Sequence, residues 1–209
     1  MPKLSLRKAG PSDKELLFRW ANDALCRQNA FRQQPIPWPE HEAWFEKKLR
    51  SSNTWMYLLL ADASPAGQIR LDLEGSTGFL DYSMAEGYRG KGFGRILLLL
   101  LETEIIRHIR PCALVQAKVK KSNIASQRCF LSLSYREEAW QGDFLYTKTR
   151  EQCQKDVEAR GFPAAVETGS ADPAERKTPT HISPPPRCIN LLLLRLLFLR
   201  SSAAERGRG

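Results

Sequence analysis

The sequence has little that could hold a metal ion or build a disulfide framework. Its five cysteines are scattered, and no two of them form a Cys-x-x-Cys pair. The three histidines, His41, His108 and His181, lie too far apart to show metal-ligand spacing. We therefore expect neither a structural zinc site nor a secreted disulfide scaffold. Free cysteines are most simply placed in a reducing compartment, so the expected location is cytoplasmic.

A long apolar run of the kind that crosses a membrane is also missing. The first residues turn polar at once, so no signal peptide is expected. The Leu-rich segment Ile189–Arg200 is shorter than the roughly 20 apolar residues that span a bilayer. It could form a sticky helix or an interfacial anchor, or it could carry no selected structure.

Two common phosphate-binding motifs are absent as well. A Walker loop requires Gly-Lys followed by Ser or Thr, and no Gly-Lys pair here precedes either residue. The dinucleotide fingerprint Gly-x-Gly-x-x-Gly fails because Arg95 occupies its last position. Neither of these nucleotide-binding classes is therefore indicated.

What remains is a chain of 209 residues, enough for one domain with an appendage. Composition changes near Arg150, after which Pro, Gly, Ala, Ser and Thr dominate without apolar periodicity. We expect an ordered domain over residues 1–150 and a disordered tail over residues 151–209. The formal net charge of +9 favours an anionic partner. No helix-turn-helix or RNA-recognition pattern is present, which argues against a nucleic-acid binder.

Hydrophobic periodicity predicts an α/β domain around a mixed sheet. Its helices are expected to begin at Ser12 or Asp13, at Trp38, at about Gly94 and at Asn123. Its strands are expected over residues 4–9, 54–62, 66–75, 78–85, 113–121 and 140–149, with a hairpin turn over residues 64–67.

A basic, glycine-rich stretch, Arg89–Gly94, lies between a predicted strand and a predicted helix. The first N–H groups of a helix lack partners, and the helix dipole is positive at that end. Glycines allow the backbone to curl closely around an anion, and Arg89 and Lys91 add positive charge. The apolar run Ile96–Leu101 would bury the helix against the sheet. We therefore predict a phosphate-binding loop.

The pattern Arg89-x-x-Gly92-x-Gly94 resembles the coenzyme A pyrophosphate loop of the GCN5-related N-acetyltransferases. Residues 119–138 resemble the second motif of that family, and the resemblance covers roughly residues 4–149. It implies a mainly antiparallel sheet flanked by helices, acetyl-CoA as co-substrate, no metal, and transfer of acetyl to a primary amine. The cofactor-binding residues that it implies are Met84, Arg89, Gly90, Lys91, Gly92, Phe93, Gly94, Asn123 and Ser126.

The resemblance leaves the proton donor in doubt. Many relatives carry a Tyr in the second-motif helix that protonates the leaving thiolate, but the matching residue here is Phe130. Tyr135 could be a substitute donor or simply a packed aromatic residue. The family also stabilises the thioester oxygen with backbone N–H groups, which here would come from Tyr82–Met84.

A general base would help the acceptor amine to lose its proton. The candidates are Asp72, Glu74 and Asp81, and Asp72 is the first choice. Each of the three could equally be a solvated or sheet-facing carboxylate.

The segment Phe18–Leu49 resembles acetyltransferases that act on nucleotide-linked 4-amino sugars in pseudaminic acid synthesis. The resemblance implies that Asn22, Arg27 and His41 bind a UDP-linked amino-dideoxy sugar, and Arg32 could add charge. Related patterns occur in ribosomal-protein and aminoglycoside acetyltransferases, and both remain alternatives. The matching residues are Trp20, Asn22, Asp23, Arg27, Ile36, His41, Trp44 and Phe45.

Two further possibilities stay open. The chain could be a non-catalytic acyl-CoA sensor, because Phe130 has no proton to give and no base is obvious. It could also form a homodimer.

Overall fold

The computed structural model describes residues 2–160, so the expected tail beyond residue 160, including Ile189–Arg200, lies outside the described residues. The described part contains seven strands and six α-helices. The strands are β1 (Leu4–Lys8), β2 (Thr54–Ala61), β3 (Ser64–Glu74), β4 (Thr77–Met84), β5 (Leu114–Val119), β6 (Arg136–Trp140) and β7 (Asp143–Thr149). The helices are α1 (Lys14–Ala21), α2 (Ala24–Asn29), α3 (Trp38–Arg50), α4 (Phe93–His108), α5 (Ile124–Leu131) and α6 (Arg150–Ala159).

The strands form one sheet in the order β1-β2-β3-β4-β5-β7-β6. Every neighbouring pair is antiparallel except β4 and β5, which are parallel. The mainly antiparallel α/β fold expected from the sequence is therefore confirmed. The parallel pair is short, because Thr77–Phe79 pairs with Leu114–Gln116 and pairing then stops although both strands continue. This early end of pairing leaves a gap inside the sheet.

Helices cover both faces of the sheet. On one face α4 packs its apolar run into the main core, where Leu97–Leu101 are all buried. The prediction of a buried helix at this run is confirmed. On the other face α1 and α3 enclose a smaller cluster of Leu17, Phe45, Met56 and Leu58. The sheet is therefore the middle layer of three.

Two local elements differ from the sequence prediction. The helix expected to begin at Ser12 or Asp13 ends at Ala21 and is followed by α2. The side chain of Asp23 starts this second helix by accepting hydrogen bonds from the backbone N–H groups of Leu25 and Cys26. The first hairpin turns at Asp62 and Ala63, which both have positive φ, and not over residues 64–67.

The structure also adds a strand that the sequence prediction lacks. β6 pairs with β7 through a turn at Gln141 and Gly142, both in the left-handed region. β6 is the edge strand, and four of its five residues are exposed. It therefore lacks the alternation of buried and exposed residues by which a strand is normally recognised.

The domain continues past Arg150, where composition places its boundary. The Arg150 guanidinium donates to the carbonyl oxygens of Ile105, Ile106 and Ile109, at and just after the C-terminal end of α4. Further along α6, Cys153 is fully buried. The boundary at residue 150 is therefore placed too early, and residues 150–160 belong with the folded domain.

Candidate active site

A cavity of about 480 Å³ occupies the gap where β4 and β5 stop pairing. Leu80–Met84 form its wall on one side and Ala117–Val119 on the other. Residues of α2 and α5 close the remaining sides. Backbone groups of β4 on this side have no neighbouring strand, so an extended ligand could pair with them.

The glycine loop lies at one end of this cavity, which is called the larger cavity below because a second, smaller one lies beside it. Gly90 and Gly92 have φ values of 72° and 78°, in the left-handed region that suits glycine. Gly92 precedes the first turn of α4, and no side chain caps that end. A Cβ at Gly92 would meet no atom of residues 2–160 within 4 Å, so within this part of the chain the helix terminus faces open space. An anion can therefore approach the first N–H groups of α4.

The structure brings together most of the predicted cofactor-binding residues. The following residues line the larger cavity: Met84, Arg89, Gly90, Gly92, Phe93, Gly94, Asn123 and Ser126. Lys91 does not line it, because its Nζ donates to the carbonyl oxygen of Gly87 at 2.7 Å and lies over the Tyr88 ring. The predicted role of Lys91 as a phosphate ligand is therefore not supported by its position.

The Arg89 side chain has a different role from the one expected. Its guanidinium donates to the carbonyl oxygen of Met84 at 3.0 Å and to Asp23 Oδ1 at 2.5 Å. Burial alone would raise the pKa of the Asp23 carboxyl, but hydrogen bonds from Arg89 and from the Cys26 backbone outweigh it and lower that pKa. Arg89 therefore ties the glycine loop to α2 instead of presenting a free charge.

On the far side of the cavity, Asn123 and Ser126 organise the start of α5. Asn123 Oδ1 accepts the backbone N–H of Ser126, and Ser126 Oγ accepts a hydrogen bond from the Tyr82 hydroxyl at 3.1 Å. Tyr82 also lines the cavity. These polar groups offer hydrogen-bond partners to a ligand that enters the gap between the strands.

Tyr135 is a packed aromatic residue, and its position does not support the role of substitute proton donor. It lines neither cavity, is 3% exposed and sits behind Phe130 with ring centroids 5.0 Å apart. Burial, with the nearby charge of Glu102, raises its pKa well above the ordinary value for tyrosine. Phe130 does line the larger cavity, and it stacks on Tyr146. The position that holds a tyrosine in many relatives is therefore apolar here.

A second cavity of about 340 Å³ opens on the sheet face covered by α1 and α3. Its apolar wall includes Leu17, Trp20, Ile36, Trp44 and Met56. Its polar wall contains charged side chains of both signs: Arg27, Arg32, Glu40, Arg70 and Asp81. This smaller cavity could hold a molecule with both an apolar part and a charged part.

The two cavities meet. Three polar side chains from adjacent strands, Gln68, Asp81 and Ser83, line both of them. Gln68 Nε2 lies 3.4 Å from Asp81 Oδ2 and 3.4 Å from Ser83 Oγ. A reaction between molecules held in the two cavities would take place at this junction.

Of the three candidate bases, the structure places Asp81 at the junction and the other two elsewhere. Asp72 and Glu74 line neither cavity. Burial would raise the pKa of Asp72, but hydrogen bonds and charge from Lys48, Arg70 and Thr54 lower it overall. The structure therefore gives no support to Asp72 as the base, because its carboxylate lines neither cavity and both of its oxygens already accept hydrogen bonds.

The predicted substrate-binding residues separate into different roles. Asn22 bonds the backbone of Ile36 through both its amide nitrogen, at 3.1 Å, and its amide oxygen, at 2.7 Å. It lines neither cavity, so it fixes the loop before α3 and is not placed to bind substrate.

His41 lies on the wall of the smaller cavity but is 1% exposed. Its Nε2 is 3.0 Å from the Lys14 carbonyl oxygen, which can only accept, so Nε2 carries a proton. Burial lowers the pKa of His41 below its ordinary value. The His41 ring stacks on Phe45, so the predicted substrate-binding residue is largely packed between the helices.

Arg27 lines both cavities, in agreement with a binding role. Its Nη1 donates to the carbonyl oxygen of Arg32 at 3.1 Å, which fixes the guanidinium. Its Nε is buried and has no hydrogen-bond partner among the described residues. A buried donor of this kind is available to an oxygen atom of a ligand.

Gln68, Arg70 and Ser83 are site residues that the sequence analysis missed. The available signal was the spacing of two along β3 and β4, which puts Gln68 and Arg70 on the same face as Asp81 and Ser83. Spacing alone could not identify these residues, because it does not say which residue of β3 lies opposite Asp81; that requires the pairing register of the two strands.

Comparison with known proteins identifies the family. Residues 3–136 match the model of the acetyltransferase (GNAT) domain, which is more than half of the chain. The chain therefore belongs to the GNAT acetyltransferase family. It is an acetyl-CoA-dependent N-acetyltransferase. No curated protein matches the sequence.

Solved structures share the fold at low sequence identity. A RimL ribosomal L7/L12 alpha-N-protein acetyltransferase with coenzyme A has a TM-score of 0.61 and 20% identity, over 71% of this chain and 95% of that one. Spermidine N-acetyltransferase from Vibrio cholerae has a TM-score of 0.64 and 14% identity, over 72% of this chain and 98% of that one. Aminoglycoside acetyltransferase AAC(6')-Ib has a TM-score of 0.62 and 14% identity, over 73% of this chain and 98% of that one. At these identities the comparisons show the fold and not the acceptor.

Two features of the described residues bear on partners. No helix among residues 2–160 is long and apolar enough to cross a membrane. In the same part of the chain, no group of three or more His, Cys, Asp or Glu side chains is placed to hold a metal ion.

Proposed function

We propose that the larger cavity holds acetyl-CoA and that the smaller cavity holds the acceptor amine. The observation that carries this proposal is the position of Asp81, which lines both cavities at the point where they meet. The glycine loop would take the pyrophosphate, and the gap between β4 and β5 would take the pantetheine arm. Acetyl-CoA supplies the activated acetyl group at the junction.

Asp81 would serve as the general base. The new bond forms between the amine nitrogen and the acetyl carbon, and the carbon–sulfur bond of the thioester breaks. The amine proton passes to the Asp81 carboxylate, directly or through one water molecule. Because Phe130 has no proton to give, the leaving thiolate takes its proton from solvent. Backbone N–H groups near Tyr82 would stabilise the developing charge on the thioester oxygen.

For the acceptor we propose a 4-amino-4,6-dideoxy sugar carried on UDP. The buried Nε of Arg27 offers a charge-assisted hydrogen bond to an anionic group. The apolar wall at Trp20 and Ile36 suits the methyl group of a deoxy sugar. Arg32 is a weaker candidate than its sequence position suggests, because Glu40 already pairs with it at 2.5 Å and 3.2 Å.

A panel of acceptors tests this assignment. We expect turnover of a UDP-linked 4-amino sugar to exceed that of an Ala- or Ser-starting peptide, an aminoglycoside and spermidine. Arg27→Ala should raise the KM of the sugar about tenfold or more, as expected for a lost charge-assisted bond of about 1.5–3 kcal/mol. The Kd for acetyl-CoA should stay within about threefold.

Arg19→Ala is the matched control, because it removes the same charge from an exposed position on α1 that lines neither cavity. It should leave both constants unchanged. A preference for the peptide, the aminoglycoside or spermidine would refute the sugar assignment but not the acetyltransferase assignment.

The base is tested separately. Asp81→Asn should lower kcat by about 10²–10⁴-fold, the usual contribution of a general base. Binding of acetyl-CoA, measured by calorimetry, should not change. Glu74→Gln removes a carboxylate from the end of β3, away from both cavities, and should keep full activity. If Asp81→Asn retains the wild-type rate, Asp81 is not the base.

The cytoplasmic location and the homodimer stay predictions. Cell fractionation would test the first, and sedimentation equilibrium would test the second.

A further inference from the structure

A short row of charged side chains crosses the sheet face beneath the smaller cavity. Arg70 on β3 lies directly across from Asp81 on β4. Arg70 Nη1 is 3.8 Å from Asp81 Oδ2, close enough for attraction but too far for a hydrogen bond. The proposed base therefore has a cation beside it that does not occupy its lone pairs.

Asp72 holds that cation from the other side. Its Oδ2 accepts a hydrogen bond from Arg70 Nε at 2.8 Å. Its Oδ1 accepts hydrogen bonds from Lys48 Nζ and Thr54 Oγ1, both at 2.7 Å. Both oxygens of Asp72 are therefore used, and the carboxylate is anchored to β2 and α3 as well as to Arg70.

Trp44 restricts Arg70 on a further side. The guanidinium carbon of Arg70 lies 5.1 Å from the centroid of the Trp44 ring, in a cation–π contact. The Asp81 side chain, in contrast, is 58% exposed. Arg70 is thus fixed by Asp72 and Trp44, while Asp81 remains open to the junction of the two cavities.

We infer that Asp72 is a positioning residue, which acts by keeping Arg70 from closing its 3.8 Å contact with Asp81 into a hydrogen-bonded ion pair. This inference rests on the function proposed for Asp81. An arginine that hydrogen-bonds a carboxylate occupies its lone pairs and favours its charged form, which makes it a poorer proton acceptor. Without Asp72, Arg70 has to move only about 1 Å to make such a bond, since charge-assisted N–H···O bonds are about 2.7–2.9 Å long.

The primary test is Asp72→Asn. The asparagine removes the charge that holds Arg70 with little change in side-chain volume. We expect the acceptor kcat/KM to fall about 10- to 100-fold, less than the full loss of a general base. The Kd for acetyl-CoA should be unchanged. Glu74→Gln, which neutralises another carboxylate on β3, should have no effect.

Rescue distinguishes positioning from a purely structural role. If released Arg70 causes the loss, then adding Arg70→Gln to the Asp72→Asn protein should restore several-fold of the lost activity. Asp72→Glu, which keeps the charge, should retain more activity than Asp72→Asn. Melting curves of each variant would show that the folded protein is being compared.

Two results would overturn the inference: wild-type activity in Asp72→Asn, or a double variant no more active than Asp72→Asn alone. If Asp72→Asn does not fold, the activity of Arg70→Gln is compared with that of the double variant. A much lower activity in the double variant would show that Asp72 acts other than through Arg70, and would overturn the inference. Failure of the base assignment shows independently, as full activity in Asp81→Asn.

Discussion

The phosphate-binding role proposed for the glycine loop can be tested at a single residue, Gly92. Its φ of 78° would strain any other residue, and the space beside its Cα is open. Gly92→Val should therefore abolish acetyl-CoA binding in calorimetry, because the added side chain would fill the space for a phosphate oxygen. The wild-type Kd for acetyl-CoA is expected to be micromolar, which corresponds to a binding free energy on the order of −7 to −8 kcal/mol.

Backbone strain needs its own control here. Gly142 has a φ of 85° and equally open space, but it turns the β6–β7 hairpin and lines neither cavity. Gly142→Val should thus lower stability to a similar extent and leave acetyl-CoA affinity intact. Equal affinity losses in the two variants would contradict a specific role for Gly92.

The residues that could be assigned from sequence are those whose chemistry is local. The proposed phosphate-binding loop would act through consecutive backbone groups, so the sequence Arg89–Gly94 is enough to predict it. The junction could not be found that way, because Asp81 meets Gln68 only through the pairing of β3 with β4. The residue type of Asp72 permits a base, but its tertiary contacts with Lys48 and Thr54 cannot be read from the sequence.

At the scale of elements, α6 depends on a buried ion pair. Lys148 at the end of β7 lies 2.9 Å from both carboxylate oxygens of Glu102 on α4, and both side chains are fully buried. Asp156 on α6 pairs with the same Lys148 at 2.7 Å. One lysine thus joins a strand and two helices.

Removing that lysine should be costly. Lys148→Met would leave Glu102 buried without its partner, and we expect the free energy of unfolding to fall by about 3–5 kcal/mol. Urea denaturation measures the change. Lys155→Met, at an exposed position on α6, should change stability by no more than about 0.5 kcal/mol. Similar results for both variants would mean that the ion pair is not what holds α6.

These contacts explain why the sequence prediction ended the domain too early. Only Cys153 of α6 is fully buried, and the rest of the helix is polar or partly exposed, so it shows no apolar stripe. Two side chains attach α6 to the domain. Arg150 donates to the carbonyl oxygen of Ile105, 45 positions earlier in the chain, and Asp156 pairs with the buried Lys148 on β7. The strongly apolar α4, in contrast, was recognisable from its own residues.

For the whole molecule, several buried groups make stability depend on pH. Burial lowers the pKa of His41 below its ordinary value of 6.5. Burial alone would raise the pKa of Asp13, but the hydrogen bonds from Arg7 and Gly10 outweigh the effect of burial, so the pKa lies below its ordinary value of 3.8. In both cases the unfolded chain binds protons more readily than the folded one, so stability is lost as pH falls.

We therefore expect the melting temperature to fall in two stages on acidification. The first stage begins as pH drops through about 6.5, where unfolded histidine is protonated, and the second begins below about 4, where unfolded aspartate is protonated. Calorimetry across this range would show both stages. His41→Phe should flatten the first stage, and Asp13→Asn should flatten part of the second. If the melting temperature of His41→Phe changes between pH 7 and pH 5 as much as that of the wild type, His41 does not cause the first stage.

The short pairing of β4 with β5 also has a mechanical consequence. Three residue pairs join the β1–β4 half of the sheet to the β5–β7 half, whereas β3 and β4 share eight. Under a pulling force applied across the strands, the sheet should separate first along this seam. A bound pantetheine arm would bridge the seam like an added strand, so the substrate that the enzyme consumes would also reinforce it.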